Sequence, residues 1–181
     1  MPERAVTVGR VRMSNLLLLS AVLCCGWFAP GVAAETPTFV ITANQLELPV
    51  PIAFTAGGAT LTEASAPALE HIAAFLAEKP AISMLRIEAH SDDQGDAAAA
   101  LALTRNRALA VVTALVARGV ARERLIAVGF GASKPVADQA TPEGRAANQR
   151  IVAQVAALRG HALGGMPVDG GGSVASEAAA P

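Results

Sequence analysis

Polar side chains are concentrated in one short stretch of the sequence, between a predicted strand and a predicted helix. The stretch runs from His90 to Asp96, and the end of a strand just before a helix is a common place for a ligand site. Composition alone favours a solvated connecting loop in which Gly95 supplies a turn. Arg107 follows Asp92 by fifteen residues and is typical, by spacing alone, of an exposed arginine on a helix. A binding loop and a plain surface loop are both open at this point.

The same stretch contains residue types that could catalyse hydrolysis or bind a metal. His90, Ser91 and Asp92 are the types of a nucleophilic triad, but neighbours on a strand point to opposite faces and cannot form its hydrogen-bonded relay. His90 with Asp92 and Asp93 could ligate a metal, yet one histidine without a partner that orients it is usually structural or solvated. We therefore expect no catalytic residue, no metal ion and no cofactor.

Alternating apolar residues predict the strand that enters the polar stretch. Its core face carries Leu85, Ile87 and Ala89, and its other face is expected to lie in solvent. The residues of that second face are Arg86, Glu88 and His90. The helix that leaves the stretch has its apolar residues on one face and ends near Gly119, but Asp96 and Thr104 are both acceptable as its N-terminal cap.

The remaining elements complete one layer of strands and one of helices. An early strand carries apolar residues on alternate positions from Leu46 to Phe54, and a helix capped by Thr62 or Ser65 follows it and ends at Pro80. Later come a strand at 125–130, a short helix from Thr141, and a last strand at 151–155. This order predicts a two-layer α/β sandwich of roughly 110 residues.

The two ends of the sequence differ from this pattern. Three arginines precede an apolar stretch, residues 16–29, and the small-residue site Val32-Ala33-Ala34, which is typical of a signal peptide over residues 1–34. An uncleaved anchor is the alternative, and lipidation of Cys24 or Cys25 is not favoured, because Leu23 precedes Cys24. We expect a lead-in at 35–45, the domain at 46–158, and a disordered Gly/Ala/Ser tail at 159–181.

Composition excludes two broad classes of protein. The 181 residues include 14 Lys and Arg against 15 Asp and Glu, so the formal net charge of −1 leaves no basic footprint for nucleic acid. Hydrophobic residues make up 52% of the chain, but no apolar run reaches the ~20 residues that a membrane span needs. Membrane association is therefore expected only if the N-terminal segment is uncleaved or lipidated.

Several motifs, taken in order, resemble the peptidoglycan-binding domain at the C-terminus of outer-membrane protein A, which also occurs in peptidoglycan-associated lipoproteins and flagellar motor stator proteins. The resemblance covers about residues 46–158. The motifs are Ile87 to Gly95, Leu103-Thr104 with Arg107-Ala108, Gly119-Val120, Arg124-Leu125, Gly129-Phe130-Gly131, Glu143-Gly144-Arg145, and Asn148-Gln149-Arg150-Ile151. It implies an OmpA-like βαβαβ(α)β order with a mixed sheet and helices on one face.

The resemblance also implies a noncatalytic function, namely binding of the diaminopimelate of the peptide stem. By position, Asp92 and Arg107 match the residues that bind this ligand, with Ser91, Gln94 and Gly95 supporting the loop. Diaminopimelate carries an ammonium and a carboxylate on one carbon, which an aspartate and a bidentate arginine can hold. If the helix began at Thr104, its first-turn N–H groups would also point at the anion.

Arg145, Asn148 and Arg150 are expected to brace the last turn rather than to bind ligand, because a loop that enters a buried strand must satisfy its own backbone groups.

Two departures from the family pattern put the affinity for the wall in question. Ala100 stands where the family usually has asparagine, and Gln149 replaces an arginine. We expect an exported periplasmic protein, with association with the outer membrane as the alternative, and with peptidoglycan and other cell-envelope proteins as partners. The alternatives are an interaction or structural protein whose wall site has decayed and, less favoured, a periplasmic cell-wall hydrolase.

Overall fold

The computed structural model describes residues 38–165 and 167–175. The predicted signal peptide and residues 176–181 lie outside this range. Three α-helices are described: α1 (Ala66–Glu78), α2 (Ala97–Val116) and α3 (Pro142–Asn148). Seven strands accompany them: β1 (Ile41–Thr42), β2 (Gln45–Leu46), β3 (Ile82–His90), β4 (Leu125–Gly131), β5 (Ile151–Leu158), β6 (His161–Ala162) and β7 (Ser173–Val174).

The strands form one mixed sheet in the order β1-β2-β5-β3-β4-β7, with β6 paired to β5. β3 runs parallel to β4 and antiparallel to β5. The last long strand of the chain therefore lies inside the sheet, between β2 and β3. The predicted α/β sandwich with a mixed sheet is confirmed.

Helices α1 and α2 supply one side of the core. Apolar residues spaced three and four apart place one stripe of each helix against the sheet. The fully buried members are Leu69, Ile72, Phe75 and Leu76 of α1 and Ala108, Val111, Val112 and Leu115 of α2. They pack with Leu85, Ile87 and Ala89 of β3, as the alternation predicted. The 20 residues of α2 are long and apolar enough to cross a membrane, but here that stripe is part of the core of the sandwich.

The first predicted strand is much shorter than expected. Only Gln45 and Leu46 pair with β5, and Phe54 makes an isolated bridge to Leu61. Pro49 and Pro51 lie between these points, and a proline cannot donate to a ladder. The described part of the predicted lead-in instead forms the β1–β2 hairpin, which turns through positive φ at Ala43 and Asn44.

The described part of the predicted tail is ordered, which differs from the disorder expected for 159–181. β6 pairs with β5, β7 pairs with β4, and Ala175 is buried in the core. The segment has few apolar residues of its own, but it uses the unpaired backbone groups at the edges of neighbouring strands. We call residues 167–175 the strap.

The face of the sheet opposite α1 and α2, here called the back face, is not the solvated surface that the alternation predicted. Arg86, Glu88 and His90 are 4%, 5% and 2% exposed. Arg86 Nε donates to Glu88 Oε1 at 2.6 Å, and His90 Nε2 lies 3.2 Å from Glu88 Oε2. The prediction of a wet face was wrong because the strap covers Arg86 and the Phe130 ring stacks on His90 at 5.1 Å.

Candidate functional site

The polar loop begins where three strands meet. At the end of β3, His90 N donates to Arg150 O at 3.0 Å and Ser91 N donates to Gly131 O at 2.9 Å. Gly95 then adopts a φ of +87°, a conformation that favours glycine. The two ends of the sequence-predicted loop are thus fixed by backbone contacts to β4 and β5.

Helix α2 begins at Ala97 and is capped by Asp96, whose Oδ1 accepts a hydrogen bond from Ala99 N at 2.8 Å. Of the two predicted caps, Asp96 is therefore the one used. A run of alanines follows it, and alanine is the strongest helix former, so the helix extends back to the loop.

Thr104 lies inside the helix and is fully buried. Its Oγ1 accepts from Gly131 N at 3.1 Å and lies 3.0 Å from Ala100 O and Leu101 O, which it can donate to. The expectation that first-turn N–H groups at Thr104 point at a bound anion was wrong, because those groups are already within a continuous helix. Thr104 instead ties α2 to β4.

The loop and the first turns of α2 enclose one cleft of about 600 Å³. The five loop and helix residues predicted for the ligand site all line it: Ser91, Asp92, Gln94, Gly95 and Arg107. Ala100 and Gln149, the two departures from the family pattern, line it as well. The structure thus brings the predicted anion and the predicted cation to the same cavity.

Asp92 is held by neutral donors. Gln149 Nε2 donates to Asp92 Oδ2 at 2.8 Å, and Gln94 N donates to Asp92 Oδ1 at 3.4 Å. Within residues 38–165 and 167–175, no ion pair includes Asp92. The carboxylate is therefore oriented by amides and has no cationic partner within the described ranges.

Arg107 is fixed at one edge of its guanidinium. Its Nε donates to Gly58 O at 2.9 Å, and its Cζ lies 5.1 Å from the centre of the Phe54 ring. Burial lowers the pKa of Arg107 from its ordinary value, but an arginine stays charged at neutral pH. Within the described ranges, neither Nη group donates to another residue, so both can point at a carboxylate.

Ser91 lines the cleft with a buried side chain. The residue is 9% exposed, and its Oγ is buried without a hydrogen-bond partner in the part of the chain that is described. A buried hydroxyl of this kind can still donate to a group that enters the cleft.

Arg145, Asn148 and Arg150 lie behind the cleft, against the loop that follows β4. Asn148 is fully buried, its Oδ1 accepts from Val136 N at 2.7 Å, and its Nδ2 donates to Ala137 O at 2.9 Å. Arg145 Nη1 donates to Gln139 O, and Arg150 Nη2 donates to Lys134 O at 3.1 Å. Burial lowers the pKa of Arg150, an effect that the charge of Glu88 opposes. These contacts fix the position of Gln149, which follows Asn148.

The contact of Gln149 with Asp92 was not predicted from the sequence, in which Gln149 stood out only as the replacement of an arginine. The two residues are 57 positions apart, and no local pattern reports a pair at that separation. The fit of Phe54 and Gly58 around Arg107 was missed for the same reason.

The residues considered for a catalytic triad or a metal site do not lie together in the structure. His90 lies on the back face against Glu88, whereas Asp92 lines the cleft. Across residues 38–165 and 167–175, no group of three or more His, Cys, Asp or Glu side chains is placed to hold a metal ion.

Comparison with known proteins places the fold in a family. Residues 53–149 match the model of the OmpA family. The chain is 40% identical over 138 residues to the peptidoglycan-binding protein ArfA of Mycobacterium tuberculosis, a match that covers 76% of this chain and 42% of ArfA. It is 43% identical over 89 residues to outer membrane porin F of Pseudomonas fluorescens, covering 49% of this chain and 27% of the porin. The chain thus spans less than half the length of either relative.

Solved structures show the same fold. The cell wall anchor of the type VI secretion system from Pseudomonas aeruginosa superimposes with a TM-score of 0.51 at 29% identity, over 56% of this chain and 73% of the anchor. The peptidoglycan-associated lipoprotein from Burkholderia pseudomallei does so with a TM-score of 0.51 at 28% identity, over 57% of this chain and 86% of the lipoprotein. With its family match spanning more than half of the sequence and its sheet shared with these structures, the chain belongs to the OmpA family.

Proposed function

We propose that this chain binds peptidoglycan noncovalently in the bacterial periplasm, and that Asp92 and Arg107 hold the diaminopimelate of the peptide stem. The observation that carries the proposal is the cleft itself. A carboxylate and a guanidinium, neither in an ion pair within the described ranges, line one cavity of about 600 Å³.

The two groups suit the two charges at the free end of diaminopimelate. Asp92 accepts from the ammonium, and the Nη groups of Arg107 donate to the carboxylate in parallel. Because Gly58 O and the Phe54 ring already hold the other side of Arg107, little side-chain entropy is lost when the ligand binds. Gln149 holds the Asp92 carboxylate in a similar way.

The relatives support a role at the cell wall without catalysis. One is named a peptidoglycan-binding protein, one a cell wall anchor and one a peptidoglycan-associated lipoprotein. We infer the same partner for this chain, no enzyme activity, and a place in the cell envelope, with other envelope proteins as further partners.

Cosedimentation with insoluble peptidoglycan tests the proposal. Asp92→Ala and Arg107→Ala should each weaken binding about tenfold to a hundredfold, because each removes one partner of a charge-assisted contact typically worth ~1.5 to 3 kcal/mol. The samples should be shown to be monomeric, since linked molecules on a wall of many tethered ligands would mask the loss.

Two matched controls accompany these variants. Asp93→Ala removes the neighbouring exposed carboxylate, and Arg118→Ala removes an exposed arginine near the other end of α2. Both should bind as the unaltered chain does. Equal binding by all four variants would reject the Asp92/Arg107 site, and no binding by the unaltered chain would favour a structural protein with a decayed site. Release of soluble muropeptides would instead indicate a hydrolase.

A further inference from the structure

The strap occupies the outer edge of β4, the edge that faces away from β3. In β7, Ser173 and Val174 pair antiparallel with Gly129 and Val128, and Ala175 N donates to Ala127 O at 2.9 Å. The rest of the strap crosses the back face of the sheet.

Side chains of the sheet hold this crossing segment by its carbonyl groups. Arg86 Nη1 donates to Val168 O at 2.9 Å, and Lys134 Nζ donates to Gly170 O at 3.0 Å. Both contacts are to backbone carbonyl groups. They therefore fix the path of the strap without selecting its side chains.

Two glycines of the strap leave no room for a Cβ unless a neighbouring side chain shifts. A Cβ at Gly170 would lie 2.7 Å from Arg86 Cζ, and one at Gly172 would lie 2.7 Å from atoms of the Phe130 ring and also collide with Val128. Gly171, between them, has open space on its Cβ side. The strap is therefore matched in shape to the surface beneath it.

Without the strap, the outer edge of β4 would be exposed and prone to pairing with another chain. β4 has the sequence Leu-Ile-Ala-Val-Gly-Phe-Gly, with no charge and no proline in seven residues. Apolar, uncharged edge strands of this length are templates for pairing with another chain, and proteins commonly protect them with charge, proline or a covering segment. Here the covering segment is the strap.

We propose that the strap closes a self-association surface, and that its displacement lets β4 pair antiparallel with β4 of a second copy of this chain. The strand already accepts an antiparallel neighbour at 127–129. An antiparallel pair of identical strands is related by a two-fold axis, so each residue near the axis meets its own copy or a close neighbour. Because β4 has no charge, nothing in the pair repels, and Ala127 and Gly129 allow close approach.

The test uses the full chain with the strap blocked from seating. Gly172→Val should displace the strap, and the matched control Val174→Ala should not, because the Val174 side chain is 43% exposed. Displacement is measured as loss of hydrogen-exchange protection at the Ala175 amide, and association as molar mass by sedimentation velocity. We expect the mass of Gly172→Val to double as concentration rises, while the control and the unaltered chain stay monomeric.

Two further variants keep the outcome decisive. Adding Ile126→Lys to Gly172→Val places like charges near the two-fold axis, and it should restore the monomer. Gly170→Val with Gly172→Val blocks both close contacts, in case one is tolerated. A monomer with an unprotected Ala175 amide would overturn the proposal. So would an oligomer that persists with Ile126→Lys, or an Ala175 amide that stays protected when both glycines are replaced.

Discussion

At the scale of single residues, the cleft is lined by polar side chains and by the apolar side chains of Ala99, Ala100 and Leu103. Ala100 lines the cleft on the helix that carries Arg107, and its carbonyl lies 3.0 Å from Thr104 Oγ1. A methyl group at this place can neither donate to a ligand nor accept from it. A polar side chain at position 100 would therefore face the cleft and could contact the ligand directly.

We expect Ala100→Asn to tighten binding of a diaminopimelate stem peptide by about 0.5 to 1.5 kcal/mol, the usual net value of one hydrogen bond. The cost in the free energy of unfolding should be under about 1 kcal/mol, because asparagine is only moderately worse than alanine within a helix. Calorimetric titration of both chains measures the gain.

A lysine-containing stem, which lacks the terminal carboxylate, is the control ligand for this titration. Both chains should bind it more weakly than the diaminopimelate stem. No gain in the variant would mean that position 100 does not face the ligand, and equal binding of the two stems by both chains would favour a decayed site.

Asp92 and Arg107 were predictable because the motifs resemble those of a known family, whereas residue type and spacing alone favoured a plain loop and a surface arginine. The resemblance implied that Asp92 and Arg107 share one site, and both line one cleft in the structure. The resemblance could not identify Gln149 as a partner of Asp92, because that contact depends on how α3 ends and β5 begins. Side-chain partners across the chain follow from tertiary packing, which the order of residues does not report locally.

At the scale of elements, the beginning of α2 was the main ambiguity, and one hydrogen bond decides it. Asp96 and Thr104 both have cap-forming side chains, but only Asp96 has non-helical backbone and accepts from the N–H three residues on. Thr104 does not cap the helix. It lies within α2, and its hydroxyl accepts a hydrogen bond from Gly131 N. Cap preference alone does not distinguish these two uses.

We expect Asp96→Ala to lower the free energy of unfolding by about 1 kcal/mol, the typical loss on removing an N-terminal cap. Denaturant unfolding monitored by circular dichroism measures this change. Asp93→Ala, which removes a carboxylate with no role in the cap, should leave the midpoint nearly unchanged. Equal effects of the two substitutions would argue against the assigned cap.

The buried Arg86, Glu88 and His90 side chains of β3 lead to a prediction about the effect of pH on stability. Burial by itself raises the pKa of Glu88, but hydrogen bonds from His90 and Arg86 and the charge of Arg86 outweigh burial, so the pKa lies below its usual 4.5. A carboxyl group whose pKa is lower in the folded chain stabilises the fold above the unfolded pKa. It loses that contribution as the pH falls through the folded pKa.

We therefore expect the free energy of unfolding to decrease as the pH falls below about 4.5, and Glu88→Gln to remove part of that slope. At neutral pH the same variant should be less stable by ~3 to 5 kcal/mol, because it leaves the buried charge of Arg86 without its anion. Urea unfolding at several pH values gives both quantities. The exposed Glu123→Gln is the control, and an unchanged slope in Glu88→Gln would contradict the prediction.

At the scale of the whole molecule, the layer of helices on a sheet was predictable from periodicity, but the cover on the back face was not. The strap has almost no bulky side chains, so composition indicated disorder. Its order comes from partners far away in sequence, such as Arg86, which lies 82 residues from Val168. Once that cover is known, the burial of Arg86, Glu88 and His90 follows.

The N-terminal prediction concerns residues outside the described range and stays a prediction. We expect the mature chain to begin at Glu35 and to be found in the soluble periplasmic fraction, because residues 1–34 have the pattern of a cleaved signal peptide. Intact mass measured on the purified protein decides this. A product that retains residues 16–29, or a diacylglyceryl mass on Cys24, would contradict it.

The central place of β5 has a consequence for when this chain can fold. β5 lies between β2 and β3, so the sheet lacks an interior strand until residue 158 is available. A nascent chain that has emerged only as far as β4 can pair β1 with β2 and β3 with β4, but the edges of β2 and β3 that β5 will occupy stay unpaired. Because the decisive pairing joins segments that are distant in sequence, the search for it is slow compared with local helix formation. The sheet therefore closes only once residue 158 is available, and until then the strand edges that β5 will occupy are exposed to pairing with other chains.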